Sequence, residues 1–333
     1  MTIEPQTPTP TRINPSTDSA SIIRLQNVTR RFGNFTAVDD VSLDIRAGEV
    51  FGLIGHNGAG KSTLFKIMLG LLAPTTGSIR IDGEPVGQAG ALPVRRRIGY
   101  LPENVALWDN LSGLETLAFF ARLKGLDTHG CRPLLDRVGL MRAADLPVRA
   151  YSKGMRQRLG FAQALQGDPH VLFLDEPTTG LDPRAIHFFW DTLAELRDRG
   201  LTIVLTSHIL AELQNRVDRV AVMANGRIQA LGSLSDLRTG FDLPLHVQVQ
   251  LTPGTQTATI ARWLQSLPDE LARLPVQPTP TGGAVLIAVP RVHKMRLLQS
   301  LLSTQEYVAD IQIHEPSLED MFFSQSSTGA SLQ

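Results

Sequence analysis

The sequence predicts an α/β protein with a mainly parallel sheet, a helical insert and a small C-terminal α+β domain. Three observations point there. Strand-length apolar runs at 49–54, 171–174 and 201–206 alternate with helix-length amphipathic stretches, the pattern of a parallel sheet wrapped by helices. A stretch of about residues 90–165 reads instead as successive helices with their own caps. Beyond residue 240 the pattern changes again, with Leu245, Val247, Val249 and Leu251 alternating with His246, Gln248 and Gln250, as in a half-buried strand.

Residues 1–20 are rich in Thr, Pro and Ser and bury too little apolar surface to offset ordering, so disorder is expected. A cassette-sized domain is expected over 21–238. Ile23, Leu25 and Val28 precede a turn at Phe32-Gly33-Asn34, after which Val38, Val41, Leu43 and Ile45 continue a strand pattern. Glu49 to Ile54 reads as a buried strand, and Ser62 to Leu72 as a helix closed by Ala73-Pro74. Ser112-Gly113-Leu114-Glu115 forms a capping box opening a helix to about Lys124. A second helix is expected around Cys131 to Val138, and Ser152 can cap a third reaching Leu165. A strand at Val171–Leu174, a helix over about 183–199 and a β-branched strand at Leu201–Thr206 follow. The C-terminal domain, 241–323, reads as a βαβαβ-like unit. Its strands fall at 245–251, 284–289 and 308–313, its helices at 260–267 and 294–302, and a Pro/Thr-rich link spans 275–281. A flexible tail is expected over 324–333.

Composition narrows the function. The chain has 333 residues, of which 42% are hydrophobic and 19% charged, ordinary for a globular protein. Lys plus Arg and Asp plus Glu each total 32, giving zero formal charge. That balance argues against a nucleic-acid partner, which needs excess cation to displace phosphate counterions. One cysteine, Cys131, excludes a disulfide framework and a thiolate cluster. No run approaches the ~18–20 apolar residues that span a bilayer, and no secretory signal opens the chain. A cytoplasmic location is expected, with membrane association through a partner.

Two motifs carry chemistry. Gly55-His56-Asn57-Gly58-Ala59-Gly60-Lys61-Ser62 fits GxxxxGKS between an apolar strand and a helix. Glycines let backbone amides turn toward phosphate oxygens, and the helix N-terminus adds partial positive charge. Lys61 places a cation on the β and γ phosphates, the Ser62 hydroxyl can join a Mg²⁺ shell, and Thr63 completes the binding set. A chance glycine-rich turn is the weaker alternative, given strand, loop and helix in order. Val171-Leu172-Phe173-Leu174-Asp175-Glu176 delivers two carboxylates to the C-terminal edge of a parallel sheet, where ligands bind. Asp175 is the candidate Mg²⁺ ligand and Glu176 the candidate general base.

At this point the chain resembles the nucleotide-binding domain of ABC transporters. Tyr151-Ser152-Lys153-Gly154-Met155-Arg156-Gln157-Arg158 looks like a degenerate LSGGQ signature that keeps Ser152 and Gly154. Gly180-Leu181-Asp182-Pro183 matches the D-loop, Ser207-His208 the switch histidine, and Phe32 the aromatic that stacks on adenine. These occur in the family's order over about residues 22–237. Ile313 to Phe322 resembles the closing segment of ATPases paired with ABC-2-type permeases. Gly99-Tyr100-Leu101-Pro102-Glu103-Asn104-Val105, Tyr151 to Arg158 and Val292-His293-Lys294 together look most similar to the subfamily serving copper-site maturation of nitrous-oxide reductase. The family's Q-loop glutamine falls at Glu103, where an acid changes the charge and bonding inventory. A metal role for Glu103 therefore stays open.

The resemblance implies an ABC cassette: a P-loop NTPase with a RecA-like core, an antiparallel β subdomain and the helical insert. It implies ATP and Mg²⁺ as cofactors and an ATP hydrolase acting on the cytoplasmic face of the inner membrane. Two copies would sandwich ATP between the phosphate loop of one chain and Ser152–Met155 of the other, with His208 on the γ-phosphate and Asp182 positioning the neighbour's groups. Its partners would be an integral-membrane permease and a periplasmic accessory protein. Among other classes, a ribosome- or DNA-acting ABC ATPase is disfavoured by the single cassette and zero charge, and a small-molecule kinase or GTPase by the Tyr151–Arg158 and Gly180–Asp182 segments. His246, His293 and His314 are widely spaced in sequence, without Cys partners, and read as surface or partly packed histidines rather than copper ligands.

Overall fold

The computed structural model describes residues 21–314 other than 88–91, 241–243, 254, 256, 266, 268, 280–282 and 304–306. The expected disordered start, the closing segment past His314 and the flexible tail lie outside the described residues. The chain divides into two compact units, 1–234 and 235–333.

The first unit runs β1 (Ser21–Phe32), β2 (Phe35–Arg46), β3 (Val50–Ile54), α1 (Lys61–Met68), β4 (Thr76–Ile81), β5 (Glu84–Pro85), α2 (Leu92–Arg96), β6 (Ile98–Leu101), α3 (Gly113–Lys124), α4 (Cys131–Arg137), α5 (Lys153–Ala164), β7 (Val171–Leu174), α6 (Pro183–Asp198), β8 (Thr202–Ser207), β9 (Arg219–Ala224) and β10 (Arg227–Gly232). Two sheets result. One is antiparallel in the order β2-β1-β4-β5; the other has six strands in the order β10-β9-β3-β8-β7-β6. From β9 to β6 all pairings in the larger sheet are parallel. Strands β3, β7 and β8 are buried along their whole length, which is why they read as unbroken apolar runs rather than alternating ones. Side chains from both sheets and α1 meet in one core, with Phe65 edge-on to Phe173 at 5.3 Å. This is the α/β cassette with antiparallel subdomain that the resemblance implied.

Local chemistry sets the helix ends. Ser112 accepts from Glu115 N while Glu115 accepts from Ser112 N, the expected reciprocal box. Such a cap contributes about 1 kcal/mol. The helix expected to reach Leu72 stops at Met68, because Gly70 turns left-handed at φ 67° and Leu71 N and Leu72 N both fold back to Lys66 O. The insert is narrower than 90–165. Residues 98–101 form β6, a strand of the main sheet paired with β7. Four residues between Arg97 and Pro102 are too short to show a period. The β9–β10 hairpin went unread although its turn, Asn225-Gly226, has both residues at positive φ (51° and 77°), the usual two-residue hairpin chemistry. Cys131 is buried, and burial raises its thiol pKa.

At the boundary lies α7 (Leu234–Gly240), and the second unit continues with β11 (Leu245–Leu251), α8 (Thr257–Gln265), α9 (Asp269–Ala272), β12 (Val276–Pro278), β13 (Ala284–Val289), α10 (Lys294–Leu302) and β14 (Val308–His314). The expected βαβαβ-like unit is an antiparallel sheet in the order β12-β13-β11-β14. The Pro-rich link holds the extra edge strand β12, and an edge position tolerates Pro278. Val247, Val249, Val285 and Ile287 pack against Ile260 and Leu264 of α8 and Leu297 and Leu301 of α10 in a separate core. Each i,i+4 helix pair presents one face to the sheet.

Gly99, in β6, lies against the Ala164 carbonyl of α5; a Cβ there would strike that oxygen and the Leu172 side chain. Backbone cannot move as a flexible side chain does. Gly99→Ala is expected to destabilise the first unit by about 1–3 kcal/mol. Thermal unfolding followed by circular dichroism checks this, and an unchanged midpoint contradicts the packing described.

Candidate active site

The parallel register brings chain segments distant in sequence to one edge. Leu53 and Ile54 of β3 pair with Thr206 and Ser207 of β8, and Leu174 of β7 pairs with Leu205. The phosphate loop leaves β3, the two carboxylates leave β7, and His208 leaves β8, all at their C-terminal ends.

In the loop, Gly60 is the N-cap of α1 at φ 102°, and a Cβ there would run into the Ala37 carbonyl. Only glycine fits. Ala59 is buried, its N–H donating to His56 O at 3.1 Å, while Asn57 and Gly58 are exposed. His56 Nδ1 lies 2.7 Å from Asn57 O. Lys61 is buried, and its Nζ donates to Gly55 O at 2.5 Å and His56 O at 3.3 Å. Burial lowers its pKa, while the charges of Glu176 and Asp175 act the other way. Ser62 is exposed on the first turn of the helix and Thr63 is half-buried.

Asp175 N donates to Leu101 O at 2.9 Å, continuing the β6–β7 ladder. Glu176 sits in the left-handed region at φ 46°, unusual for a residue with a side chain. Its N–H donates to Thr206 Oγ1 at 2.9 Å, and the same hydroxyl donates to Asp175 Oδ1 at 2.6 Å. His208 Nδ1 lies 2.8 Å from Glu176 Oε2. Ser207 Oγ donates to Ile209 O and accepts from Ile209 N, fixing the turn that carries His208 off the strand. Tyr100 is half-buried; burial, then the Asp175 charge, raises its phenol pKa.

The signature segment takes another position. Ser152 caps α5, accepting from Met155 N at 3.2 Å. Its neighbours grip the turn after Glu176. The Lys153 side chain lies over Gly180, Gly154 faces Leu181, and Gln157 Nε2 donates to Pro177 O at 3.3 Å. The Tyr151 side chain turns away into the helical layer, where its hydroxyl donates to Ala143 O at 2.6 Å. Asp182 caps α6, accepting from Ala185 N at 2.9 Å. Phe32 is exposed near the tip of the β1–β2 hairpin with the Arg30 guanidinium 4.6 Å from its ring centre.

Thus Lys61, Asp175, Glu176 and His208 are brought together, Ser152–Met155 lie against the turn that follows Glu176 and Asp182 ends that turn, whereas Phe32 sits on the β1–β2 hairpin. Glu103 is exposed two residues beyond β6, and no group of three or more His, Cys, Asp or Glu among the described residues is arranged to hold a metal. His246 and His314, far apart in sequence, stand opposite one another across β11 and β14, while His293 Nδ1 lies 3.6 Å from Glu270. Sequence reasoning took Thr206 only as the end of a β-branched strand. A hydroxyl closing a fully buried apolar strand beside an Asp-Glu strand end is the signal that was available. Among the described residues no helix is long and apolar enough to cross a membrane.

A family model described as ABC transporter matches residues 38–179. The chain is 35% identical over 93% of its length to ATP-binding cassette sub-family A member 7 of Rattus norvegicus, spanning 15% of that protein. It is 34% identical to an uncharacterized ABC transporter ATP-binding protein of Bacillus subtilis, covering 91% of this chain and 95% of that one. To the Nod factor export ATP-binding protein I of Burkholderia pseudomallei it is 39% identical over 73% of this chain and 84% of that one. Among solved structures, an ATP-binding subunit of an ABC transporter aligns with TM-score 0.61 and 33% identity over 66% of this chain and 93% of that one. A dimeric post-hydrolysis cassette bound to ADP and Pi aligns with TM-score 0.59 and 26% identity over 64% of this chain and 98% of its own. With this loop geometry and the Bacillus subtilis and Burkholderia pseudomallei relatives matched over most of their length, the chain belongs to the ABC transporter family as an ATP-binding, ATP-hydrolysing subunit.

Proposed function

We propose that the chain powers a separate membrane permease on the cytoplasmic face of the inner membrane, working as two copies that close head to tail around two ATP molecules. The observation that carries this reading is the convergence of Lys61, Asp175, Glu176 and His208 at one sheet edge, with Glu176 already bonded to His208. The solved dimeric relatives support the two-copy arrangement.

The donors suit nucleotide and Mg²⁺. Among the described residues Lys61 hydrogen-bonds to carbonyl oxygens, a cradle an anion can enter, and the charges of Glu176 and Asp175 bear on it. Hard oxygen donors, Asp175 and the Ser62 hydroxyl, match Mg²⁺ preference. Mg²⁺ would neutralise charge on the phosphates and lower the barrier to displacement. Lys61 exchanges its carbonyl partners for β and γ oxygens. Glu176 accepts the proton of the attacking water, its carboxylate aimed by His208. Phe32 offers a stacking face for the base. Across the dimer, the amides at the α5 N-terminus beside Ser152 and Gly154 meet the partner's γ-phosphate. Glu176→Gln keeps the shape but cannot take the proton. The variant is expected to bind ATP, hydrolyse it at under about 1% of the wild-type rate, and elute as a dimer with Mg-ATP on size exclusion. Wild-type turnover would assign the base elsewhere.

For cargo, we infer export serving copper-centre assembly of nitrous-oxide reductase, through an ABC-2-type permease and with a periplasmic accessory protein. The support is the run of segments at 99–105, 151–158 and 292–294. A second reading, export of another cargo, is favoured by the relative named for Nod factor export. Deleting the gene in its host is expected to leave nitrous-oxide reductase without its copper; normal copper content assigns the second reading.

The second unit has no phosphate loop and no carboxylate pair at a strand end among the described residues, but a complete core. We assign it to dimerisation, holding two copies close between cycles and raising their effective concentration. Truncation after Arg238 is expected to leave a folded, ATP-binding cassette with weaker nucleotide-free self-association by analytical ultracentrifugation. Equal association in both forms points to contact with the permease instead.

A further inference from the structure

We infer that Thr206 is a positioning residue for hydrolysis, a single buried hydroxyl that aims both carboxylates of the site. The inference rests on the reading of Asp175 and Glu176 given above. Thr206 is fully buried near the end of β8, between β3 and β7. Because Leu174 pairs with Leu205, the next residue on each strand brings Thr206 beside Asp175. A hydroxyl carries one donor and accepts through its lone pairs. Here it donates to Asp175 Oδ1 at 2.6 Å and accepts the Glu176 N–H at 2.9 Å.

The two bonds do different things. The bond to Asp175 engages Oδ1 and leaves Oδ2 without this partner. The bond from Glu176 N–H holds a left-handed backbone at φ 46°, a conformation that persists only when its surroundings over-determine it. That conformation swings the Glu176 side chain toward His208, where Oε2 is 2.8 Å from Nδ1. The adjacent hydroxyl of Ser207 is spent on its own turn and cannot substitute. One atom, Thr206 Oγ1, thus acts on both residues, on the Asp175 carboxylate directly and on Glu176 through its backbone N–H.

The test compares full-length wild type, Thr206→Val and Thr206→Ser, measuring kcat, KM for Mg-ATP, the Mg²⁺ concentration for half-maximal activity, and the thermal midpoint. Valine keeps the shape and removes both bonds. For Thr206→Val the expected result is a kcat at least about tenfold lower, with KM within about threefold and a raised Mg²⁺ requirement. Thr206→Ser should recover most of the rate. Should Thr206→Val not fold, Thr206→Cys carries the same comparison, since its thiol is similar in size but a weak donor and acceptor. The inference is overturned if Thr206→Val keeps kcat within twofold, or if Thr206→Ser is as impaired as Thr206→Val. Loss of kcat and KM in parallel with the thermal midpoint, a purely structural effect, overturns it too. Glu176→Gln run alongside separates the two readings. An active Glu176→Gln sinks the base assignment, whereas an inactive Glu176→Gln beside an active Thr206→Val sinks only the role of Thr206.

Discussion

The parallel registration of β3, β8 and β7 is the constraint on which the rest depends. Three strands buried along their length can pair in only a narrow set of registers, because a one-residue slip turns every side chain to the opposite face. Once that register is set, the strand ends are level. The phosphate loop, Asp175-Glu176 and Ser207-His208 then emerge together without any long-range polar contact having to recruit them. The apolar core therefore does the positioning, and polar bonds only refine it.

Placing charge at such an edge has a cost. Lys61 is buried, and burial disfavours its ammonium. The protein offsets this with backbone carbonyls and the charges of Glu176 and Asp175 rather than, among the described residues, with an ion pair. If, as proposed, a phosphate binds here, a committed salt bridge would have to be broken for it to enter, whereas carbonyls release the ammonium more cheaply. Asp175 and Glu176 are likewise held by neutral or histidine partners. The site thus keeps its charges ready for exchange.

How much of this could be read from sequence follows from the range of each interaction. The loop at Gly55–Ser62 and the capping residues Ser112, Ser152 and Asp182 act on amides within a few residues, so their spacing is visible along the chain. Strand β6 was hidden, because four residues ended by Pro102 carry no period and its pairing with β7 is a tertiary fact. The Asn225-Gly226 hairpin was visible in principle, since its turn chemistry is local. The hydroxyl of Thr206 at the end of a buried apolar strand was a visible hint, but its partners belong to another strand and its role appears only with the register. The pairing of His246 with His314 is of the same kind: two residues separated by most of the second unit become neighbours only once the sheet order is known. Tyr151 marks a different limit: its motif position is legible in sequence, whereas the direction of its side chain, into the helical layer with the hydroxyl on Ala143 O, is not.

The short turn between Glu176 and Asp182 is tethered at both ends. At its start, Glu176 is fastened to β8 through Thr206 and His208. Farther along, α5 grips it through Gln157 on Pro177, Lys153 over Gly180 and Leu181 beside Gly154. So few residues leave no slack. A shift of α5 by even part of a turn cannot be absorbed as loop bending and must either break the grip or pull on the backbone of the glutamate. So short and doubly fastened a segment has the build of a strut rather than a hinge, coupling the helical layer to the sheet edge that carries Glu176 within a single chain.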